Sequence, residues 1–260
     1  MISDLYNKDS YLNKNIDFIS NVRIIEYDLK SANTSLCREY NLLPESKIKE
    51  IENMKKSERV RTIGKIQRKD KVFNEGLKNA FKDIRRRFFE ANNIQDGDIL
   101  SIKKDAIFCL EAKEHTKFGH CTFSDKNMYS SYMHLNNLEL YYKSNLDGSY
   151  KLDIKGIDDE IVIKHEGFML DFLANVFYKY ESGDIVDVII YLRKFIDKYK
   201  NLELEVGYYR EFNNQSKIRL NDSEEIYDDG IFIPYEHKQE HINIDYNFFN
   251  ILLPIVKLMI

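Results

Sequence analysis

Apolar residues recur at helical spacing between residues 66 and 93, and this pattern constrains the fold more than any other feature. The repeating positions are Val72, Phe73, Leu77, Ala80, Phe81, Ile84 and Phe88. Steps of three and four residues place them on one face of a helix, and Asn92-Asn93 end it. A helix with a wide apolar face must bury it against another layer of secondary structure. The chain therefore needs a partner layer for this helix.

The rest of the sequence supplies that layer as strands. Residues 22–29 read as a strand, and residues 99–111 read as two strands joined at Lys103-Lys104-Asp105. A further hairpin is predicted over 138–143 and 149–154, and other helices over 45–58, 166–180 and 184–199. We predict an α+β fold, in which an antiparallel sheet carries helices on one face and a helical C-terminal half follows.

Charge is distributed unevenly along the chain. The formal net charge is -4, yet residues 55–87 hold thirteen Lys/Arg and only four acids. A basic segment in an acidic protein indicates a local contact with a polyanion. The alternative is a solvated, lysine-rich helix face, although pairing between residues i and i+4 does not balance so one-sided an excess.

Composition also bears on the compartment. No apolar run approaches the roughly 20 residues of a membrane span, and the first residues show no signal-peptide pattern. The three cysteines form no CxxC pair, so we expect reduced thiols in a cytoplasmic protein without a membrane partner. The apolar segment 248–260 is too short to span a bilayer, and we expect it to pack on the core or on a protein partner.

Two carboxylates each stand beside an apolar strand. Asp28 follows the run Ile24-Ile25, and Asp105, 77 residues later, precedes Ala106-Ile107-Phe108. If the two strands are neighbours in an antiparallel sheet, both carboxylates lie at one edge. Mg²⁺ is commonly held by one or two carboxylates together with phosphate oxygens. The alternative is that both side chains cap turns.

Four segments in order along the chain resemble family B DNA polymerases. Residues 28–36 (DLKSANTSL) resemble motif A of that family, with matches at Asp28, Ser31 and Ser35. Residues 104–108 (KDAIF) are similar to the second half of its motif C. The strand LELYYK ends on Lys143, and KGID follows from Lys155, in the place of two later motifs. The resemblance covers roughly residues 23–160.

This resemblance implies a minimal right-hand polymerase with a palm and reduced fingers in residues 1–160 and a thumb-like region in 161–260. Only about 22 residues precede the strand that leads into motif A, so no proofreading exonuclease domain is expected. Asp28 and Asp105 would bind Mg²⁺ or Mn²⁺. The resemblance assigns two further sets of residues. A nucleoside triphosphate would contact Leu29, Lys30, Ser31, Ala32, Asn33, Lys65, Lys69 and Lys71, and a primer–template would contact Arg85, Arg86, Arg87, Lys104, Lys143 and Lys155.

Two departures from the family pattern leave alternatives open. Lys103 aligns with the first acid of motif C, so the chain could instead be a catalytically degenerate protein that binds nucleic acid or a replication or transcription partner. Asn33 replaces the aromatic residue that excludes the ribose 2′-hydroxyl in the family, so ribonucleotide use is conceivable. A third hypothesis is an α+β interaction protein in which the match to the polymerase motifs is due to chance.

The abundance of Lys, Asn and Ile fits an AT-rich genome and suggests a phage origin.

Overall fold

The computed structural model describes residues 3–135, 138–156, 171–183, 185–201, 203, 217–220 and 223–226. The chain divides into two compact units, one comprising Met1–Asn15 with Val22–Met128 and the other Ile16–Asn21 with Tyr129–Ile260. This division assigns residues 129–160 to the second unit, whereas the sequence prediction grouped them with the palm. The functional boundary at residue 160 stays a prediction.

A six-stranded sheet forms the centre of the first unit. Its strands in chain order are β1 (Ser10–Leu12), β3 (Ile24–Leu29), β4 (Ile99–Lys103), β5 (Ala106–Leu110), β6 (Lys117–Phe118) and β7 (Cys121–Tyr129). Their spatial order is β1-β4-β5-β3-β7-β6. β2 (Phe18–Ile19) belongs to the second unit.

The strand β3 and the hairpin β4–β5 are direct neighbours, which is the condition under which the sequence places Asp28 and Asp105 at one edge. β3 pairs with β5 in antiparallel register, and Asp28 lies opposite Ala106. β4 and β5 pair in antiparallel register, and Lys103 opposite Ala106 is the pair next to the turn. Lys104 and Asp105 are therefore the two residues of the turn. Lys104 has a φ of 55°, consistent with tight hairpin turns that need a positive φ at their first central residue.

Four helices of the first unit pack on one face of this sheet. They are α1 (Ala32–Glu39), α2 (Glu45–Glu52), α3 (Lys56–Lys69) and α4 (Lys71–Ala91). Ile25, Tyr27 and Leu29 of β3 share one hydrophobic cluster with residues of all four helices. Because side chains alternate along a strand, Glu26 and Asp28 point to the other face. The Tyr27 and Phe88 rings illustrate the contact, with centroids 5.3 Å apart.

The helix boundaries differ from the predicted ones. The predicted helix 45–58 ends at Glu52, and α3 begins at Lys56. The predicted helix 66–93 is interrupted at Asp70, whose backbone is extended and whose carboxylate accepts a hydrogen bond from the Phe73 N–H at 2.9 Å. An aspartate at this position satisfies one of the free N–H groups that begin a helix. Asp70 therefore separates α3 from α4.

As far as the structure describes it, the second unit contains two antiparallel sheets and two helices. Its elements, together with β2, are β8 (Ser131–Leu135), β9 (Leu138–Ser144), β10 (Tyr150–Lys155), α5 (Asp171–Glu181), α6 (Ile185–Lys200), β11 (Lys217–Leu220) and β12 (Ser223–Ile226). The four-stranded sheet has the order β10-β9-β8-β2, and β11 and β12 form the two-stranded sheet. Tyr142 on β9 stacks on Phe177 of α5, with ring centroids 5.0 Å apart. Tyr141 and Tyr142 are buried, so they are core residues and do not offer a surface for base stacking.

The predicted α+β class is confirmed, with two antiparallel sheets of four or more strands and six α-helices among the described residues. The thumb-like arrangement of 161–260 stays a prediction, and the apolar segment 248–260 lies outside the described residues. Within the described part of the chain, no helix has both the length and the apolar character needed to cross a membrane.

Candidate active site

Asp28 and Asp105 lie beside each other at one end of the first unit's sheet. Asp28 is the last residue but one of β3, and Asp105 sits at the tip of the β4–β5 hairpin. The backbone N–H of Leu29 donates a hydrogen bond of 3.0 Å to the carbonyl oxygen of Asp105. The antiparallel pairing of β3 with β5 thus joins two acids that are 77 residues apart in sequence.

The chain reverses direction directly after β3. Ser31 has φ 47° and ψ 42°, a left-handed conformation that few residues other than glycine adopt. Its carbonyl oxygen accepts hydrogen bonds from the backbone N–H and hydroxyl of Thr34. This turn brings the N-terminus of α1 next to the two aspartates. The first N–H groups of a helix have no carbonyl partner within it, so Ala32 and Asn33 offer donors to an anion.

A cavity of about 410 Å³ opens between these elements. The two aspartates, the start of α1 and one face of α3 all contribute to its lining. Its lining is Asp28, Leu29, Ser31, Ala32, Asn33, Thr34, Lys56, Arg59, Val60, Ile63, Asp105 and Lys126.

One face of α3 closes the cavity. Lys56, Arg59, Val60 and Ile63 follow the i, i+3, i+4, i+7 pattern that aligns side chains along a helix. Ile63 is buried in the core and anchors the helix, whereas Val60 is 59% exposed. Lys56 and Arg59 belong to the first turn of α3, and the charge of Lys56 acts on Asp28. The cavity thus combines acidic and basic side chains.

Burial raises the pKa of the Asp28 carboxyl above its ordinary value. Lys126 opposes this shift, and the nearby charges of Asp105 and Glu26 add to it. A carboxylate that is partly desolvated and close to another acid favours a bound cation. The electrostatics of the site therefore suit a positively charged ligand between Asp28 and Asp105.

Lys126 on β7 supplies such a charge from the protein itself. Its ammonium forms an ion pair of 3.2 Å with Glu26, which is buried two residues before Asp28 on the same face of β3. Burial lowers the pKa of Lys126, but the carboxylates of Glu26, Asp28 and Asp105 outweigh it and leave the pKa raised. Lys126 is consequently held protonated beside the acids.

Arg85 fixes the hairpin that carries Asp105. Its guanidinium is buried and donates to the carbonyl oxygens of Tyr6 and Lys104, each at 2.8 Å, and to the Asp9 carboxylate at 2.7 Å. These contacts favour a structural role over the predicted contact with nucleic acid. Its neighbour Arg86 pairs with Asp83 and Glu90 on α4. Arg87 pairs with Glu39, and the Lys104 ammonium lies 5.3 Å from the centre of the Phe81 ring.

The other predicted nucleotide contacts are placed differently. Leu29 and Lys30 already use their backbone N–H groups, in hydrogen bonds to the carbonyl oxygens of Asp105 and Thr122. Lys65 and Lys69 lie on the exposed side of α3, roughly 180° and 220° around the helix from Lys56 at 100° per residue. Lys71 is exposed at the start of α4 and does not line the cavity.

Two predicted nucleic-acid contacts lie in the second unit. Lys143 is on β9, and its register partner on β10 is Lys151. Lys155 is the last residue of β10 and lies opposite Glu139 in the same register. Their predicted contact with primer or template stays a prediction.

The two aspartates offer carboxylate oxygens, which are the ligands that Mg²⁺ takes. Among the described residues, no group of three or more His, Cys, Asp or Glu side chains is arranged to hold a metal ion. Mg²⁺ does not need such a cage, because one or two carboxylates suffice when phosphate oxygens and water complete its octahedron. Asp28 and Asp105 on one polar cavity meet that requirement. The residues therefore fit a metal that arrives together with a phosphorylated substrate.

Sequence reasoning missed Lys56, Arg59 and Lys126. The signal for the first two was the i, i+3, i+4, i+7 pattern of residues 56, 59, 60 and 63. The predicted helix end at residue 58 concealed it by assigning Lys56 and Arg59 to different segments. Lys126 carried no sequence signal, because only the pairing of β7 beside β3 brings it to the acids.

Comparison with known proteins gave one family. A family model described as Bacteriophage PBS1 gene 130 protein matches residues 1–260. No curated protein matches the chain. The match supports the predicted phage origin, and its description assigns no activity.

Proposed function

The chain belongs to the bacteriophage PBS1 gene 130 protein family, and we propose that it performs template-directed nucleotidyl transfer, as a minimal polymerase with a palm-type site. One observation carries the proposal: Asp28 and Asp105 line a cavity that Lys56, Arg59 and the N-terminus of α1 also line. The acids suit metal ions, and the cations and free N–H groups suit a triphosphate. The resemblance of residues 28–36 and 104–108 to polymerase motifs points to the same chemistry.

The reaction joins the primer to the incoming nucleotide. The 3′-hydroxyl of the primer loses its proton to solvent, and its oxygen forms a bond to the α-phosphorus. The bond from that phosphorus to the bridging oxygen of the β-phosphate breaks, and pyrophosphate leaves. When bound, Mg²⁺ or Mn²⁺ would stabilise charge on the attacking and leaving oxygens. Asp28 and Asp105 are the residues that would hold it.

The remaining residues of the cavity position the substrate. Lys56 and Arg59 would pair with the β- and γ-phosphates, where Arg can make bidentate contacts. The N–H groups of Ala32 and Asn33 would receive a further phosphate oxygen. Catalysis would rest on this orientation and on preorganised charge, because the primer hydroxyl is itself the nucleophile of the reaction.

A second candidate function rests on Lys103 and Lys126. Lys103 stands where the polymerase motif has its first acid, and the Lys126 ammonium already contributes positive charge near Asp28 and Asp105. In this reading the site has lost its metals, and the protein binds nucleic acid or a replication or transcription partner without catalysis.

Primer extension separates the two functions. Wild-type protein, primer–template and deoxynucleoside or ribonucleoside triphosphates would be incubated with Mg²⁺ or Mn²⁺, alongside Asp28→Asn and Asp105→Asn. Each variant should lose at least about a hundredfold in rate, the order seen when one group that stabilises transition-state charge is removed. Asp125→Asn is the matched control, since Asp125 is exposed on β7 and does not line the cavity.

The outcomes are distinct. Extension by the wild type and the control, lost in both site variants, supports the polymerase. Extension that survives Asp28→Asn would contradict it. Absence of extension by the wild type, with binding to primer–template retained, supports the second candidate. Asp28→Asn should remain folded, because burial and Asp105 disfavour the Asp28 carboxylate that it removes.

A further inference from the structure

The exposed side of α3 carries four cations. Arg61, Lys65, Arg68 and Lys69 are all exposed, and they lie roughly 120° to 220° around the helix from Lys56, which faces the cavity. We call these four residues the outer stripe. From Arg61 to Lys69 the stripe is roughly 12 Å long at 1.5 Å per residue.

No carboxylate of the described residues forms an ion pair with a member of the outer stripe. The two acids nearest in sequence are engaged elsewhere, since Glu58 accepts a hydrogen bond from the Lys55 N–H and Asp70 caps α4. The arginines of α4 show the opposite behaviour. Arg85, Arg86 and Arg87 are each paired with an acid. Within the described part of the chain, no ion pair neutralises the positive charge of the outer stripe, and this charge is available to an external anion.

Helix stability alone does not account for the stripe. Arg61 and Lys65, and likewise Lys65 and Lys69, are like charges at i and i+4, which destabilise a helix. Arg68 and Lys69 lie in the last turn, where cations interact favourably with the helix dipole. Arg61 and Lys65 are too far from the C-terminus for that benefit. Two mid-helix cations that pair with no acid among the described residues thus need another explanation.

We propose that the outer stripe binds the phosphate backbone of a polynucleotide, so that α3 holds the triphosphate on one face and the nucleic acid on the other. B-DNA carries one phosphate of each strand per about 3.4 Å of helix axis, so a stripe of roughly 12 Å that lies along the axis spans three or four of them. This reassigns Lys65 and Lys69 from the triphosphate to the polymer. The inference rests on the proposed function for the identity of the polyanion and for the triphosphate on the other face of α3.

Binding of a labelled primer–template, followed by fluorescence anisotropy across a salt series, tests the stripe. The variant is Arg61→Gln/Lys65→Gln/Arg68→Gln/Lys69→Gln, since Gln has a helix propensity close to those of Lys and Arg. Each lost phosphate contact lowers the slope of log K against log salt by about 0.9. We expect the slope to fall by roughly 3 to 4, with weaker binding at low salt. A control with the same change in net charge uses exposed lysines elsewhere in the first unit, as Lys8→Gln/Lys14→Gln/Lys49→Gln/Lys117→Gln.

Three results would overturn the proposal: an unchanged slope in the stripe variant, an equal loss in the control, or no binding by the wild type. Circular dichroism verifies folding, and the double variant Arg61→Gln/Lys65→Gln, with about half the effect, serves if the quadruple variant unfolds.

The binding proposal for the outer stripe and the proposed polymerase activity can be contradicted separately. A wild type that binds through the stripe yet extends no primer supports this inference and contradicts the proposed activity, whereas extension with an unchanged slope does the reverse.

Discussion

The backbone N–H of Leu29 donates a 3.0 Å hydrogen bond to the carbonyl oxygen of Asp105. Leu29 directly follows Asp28, so this bond fixes the hairpin tip beside the end of β3. On the other side of the tip, the Arg85 guanidinium donates to the carbonyl oxygen of Lys104 at 2.8 Å. The position of Asp105 relative to Asp28 thus depends on a buried arginine from α4, which is not itself part of the cavity.

Arg85→Met should destabilise the first unit. It leaves the partly buried carbonyl oxygens of Tyr6 and Lys104 without their donor, at about 1–3 kcal/mol for each group. The lost ion pair adds little, because the Asp9 side chain is 58% exposed. The expected loss in free energy of unfolding is about 2–6 kcal/mol, measured by urea denaturation.

Arg86→Met is the matched control for that prediction. Arg86 pairs with Asp83 and Glu90 within α4, and such exposed pairs contribute up to about 1 kcal/mol. Equal losses in the two variants would contradict the anchoring role of Arg85. In protein that remains folded at low temperature, Arg85→Met should also slow primer extension, whereas Arg86→Met should not.

Lys56→Gln and Arg59→Gln should weaken binding of the nucleoside triphosphate. Both side chains line the cavity, and each would lose a charge-assisted contact with phosphate. We expect the KM to rise by about tenfold for each variant, equivalent to about 1.4 kcal/mol. Steady-state extension at varied triphosphate concentration measures it.

Lys65→Gln provides the comparison on the same helix. Lys65 is exposed on the opposite side of α3, so its substitution should leave the KM for the triphosphate unchanged. If Lys65→Gln raises this KM as much as Lys56→Gln, the assignment of the two faces of α3 is wrong.

The sequence predicted the scaffold of the site better than its surroundings. The β3 strand, the Lys104-Asp105 turn and the position of Asp28 follow from short-range patterns of apolar residues and turns, and the structure agrees with them. The boundary at Asp70 was missed because polar residues flank it on both sides and no Gly or Pro marks the break. Lys126 depends on strand order, which one-dimensional patterns do not encode.

The Glu39 carboxyl should make the free energy of unfolding depend on pH. Burial opposes the shift, but hydrogen bonds from the His120 N–H at 2.7 Å and the Arg87 guanidinium at 2.9 Å leave the pKa of Glu39 below its ordinary value of 4.5. A carboxyl with a lowered pKa in the folded state stabilises the protein above its unfolded pKa. This stabilisation should disappear as the pH falls from about 4.5 through the folded-state pKa.

Urea denaturation at pH 6 and at pH 3 to 4 would measure that loss, with these values chosen on either side of the ordinary carboxyl pKa. Glu39→Gln should be less stable than the wild type at the higher pH, and the difference should narrow at the lower pH. A difference that stays constant with pH would contradict the prediction. Glu50→Gln is a suitable control, because Glu50 is exposed on α2.

Asn33 bears on which sugar the site accepts. It lines the cavity on the first turn of α1, at the place where the resembling polymerases carry an aromatic residue. Because a smaller side chain leaves room for a 2′-hydroxyl, the wild type should extend a primer with ribonucleoside as well as deoxyribonucleoside triphosphates. Asn33→Tyr should lower kcat/KM for the ribonucleotide by at least about tenfold, equivalent to about 1.4 kcal/mol, and should largely spare the deoxyribonucleotide. Single-nucleotide extension with paired substrates measures this ratio, and Asn79→Tyr, on an exposed residue of α4 outside the cavity, controls for the added ring. An unchanged ratio in Asn33→Tyr would show that Asn33 does not face the sugar.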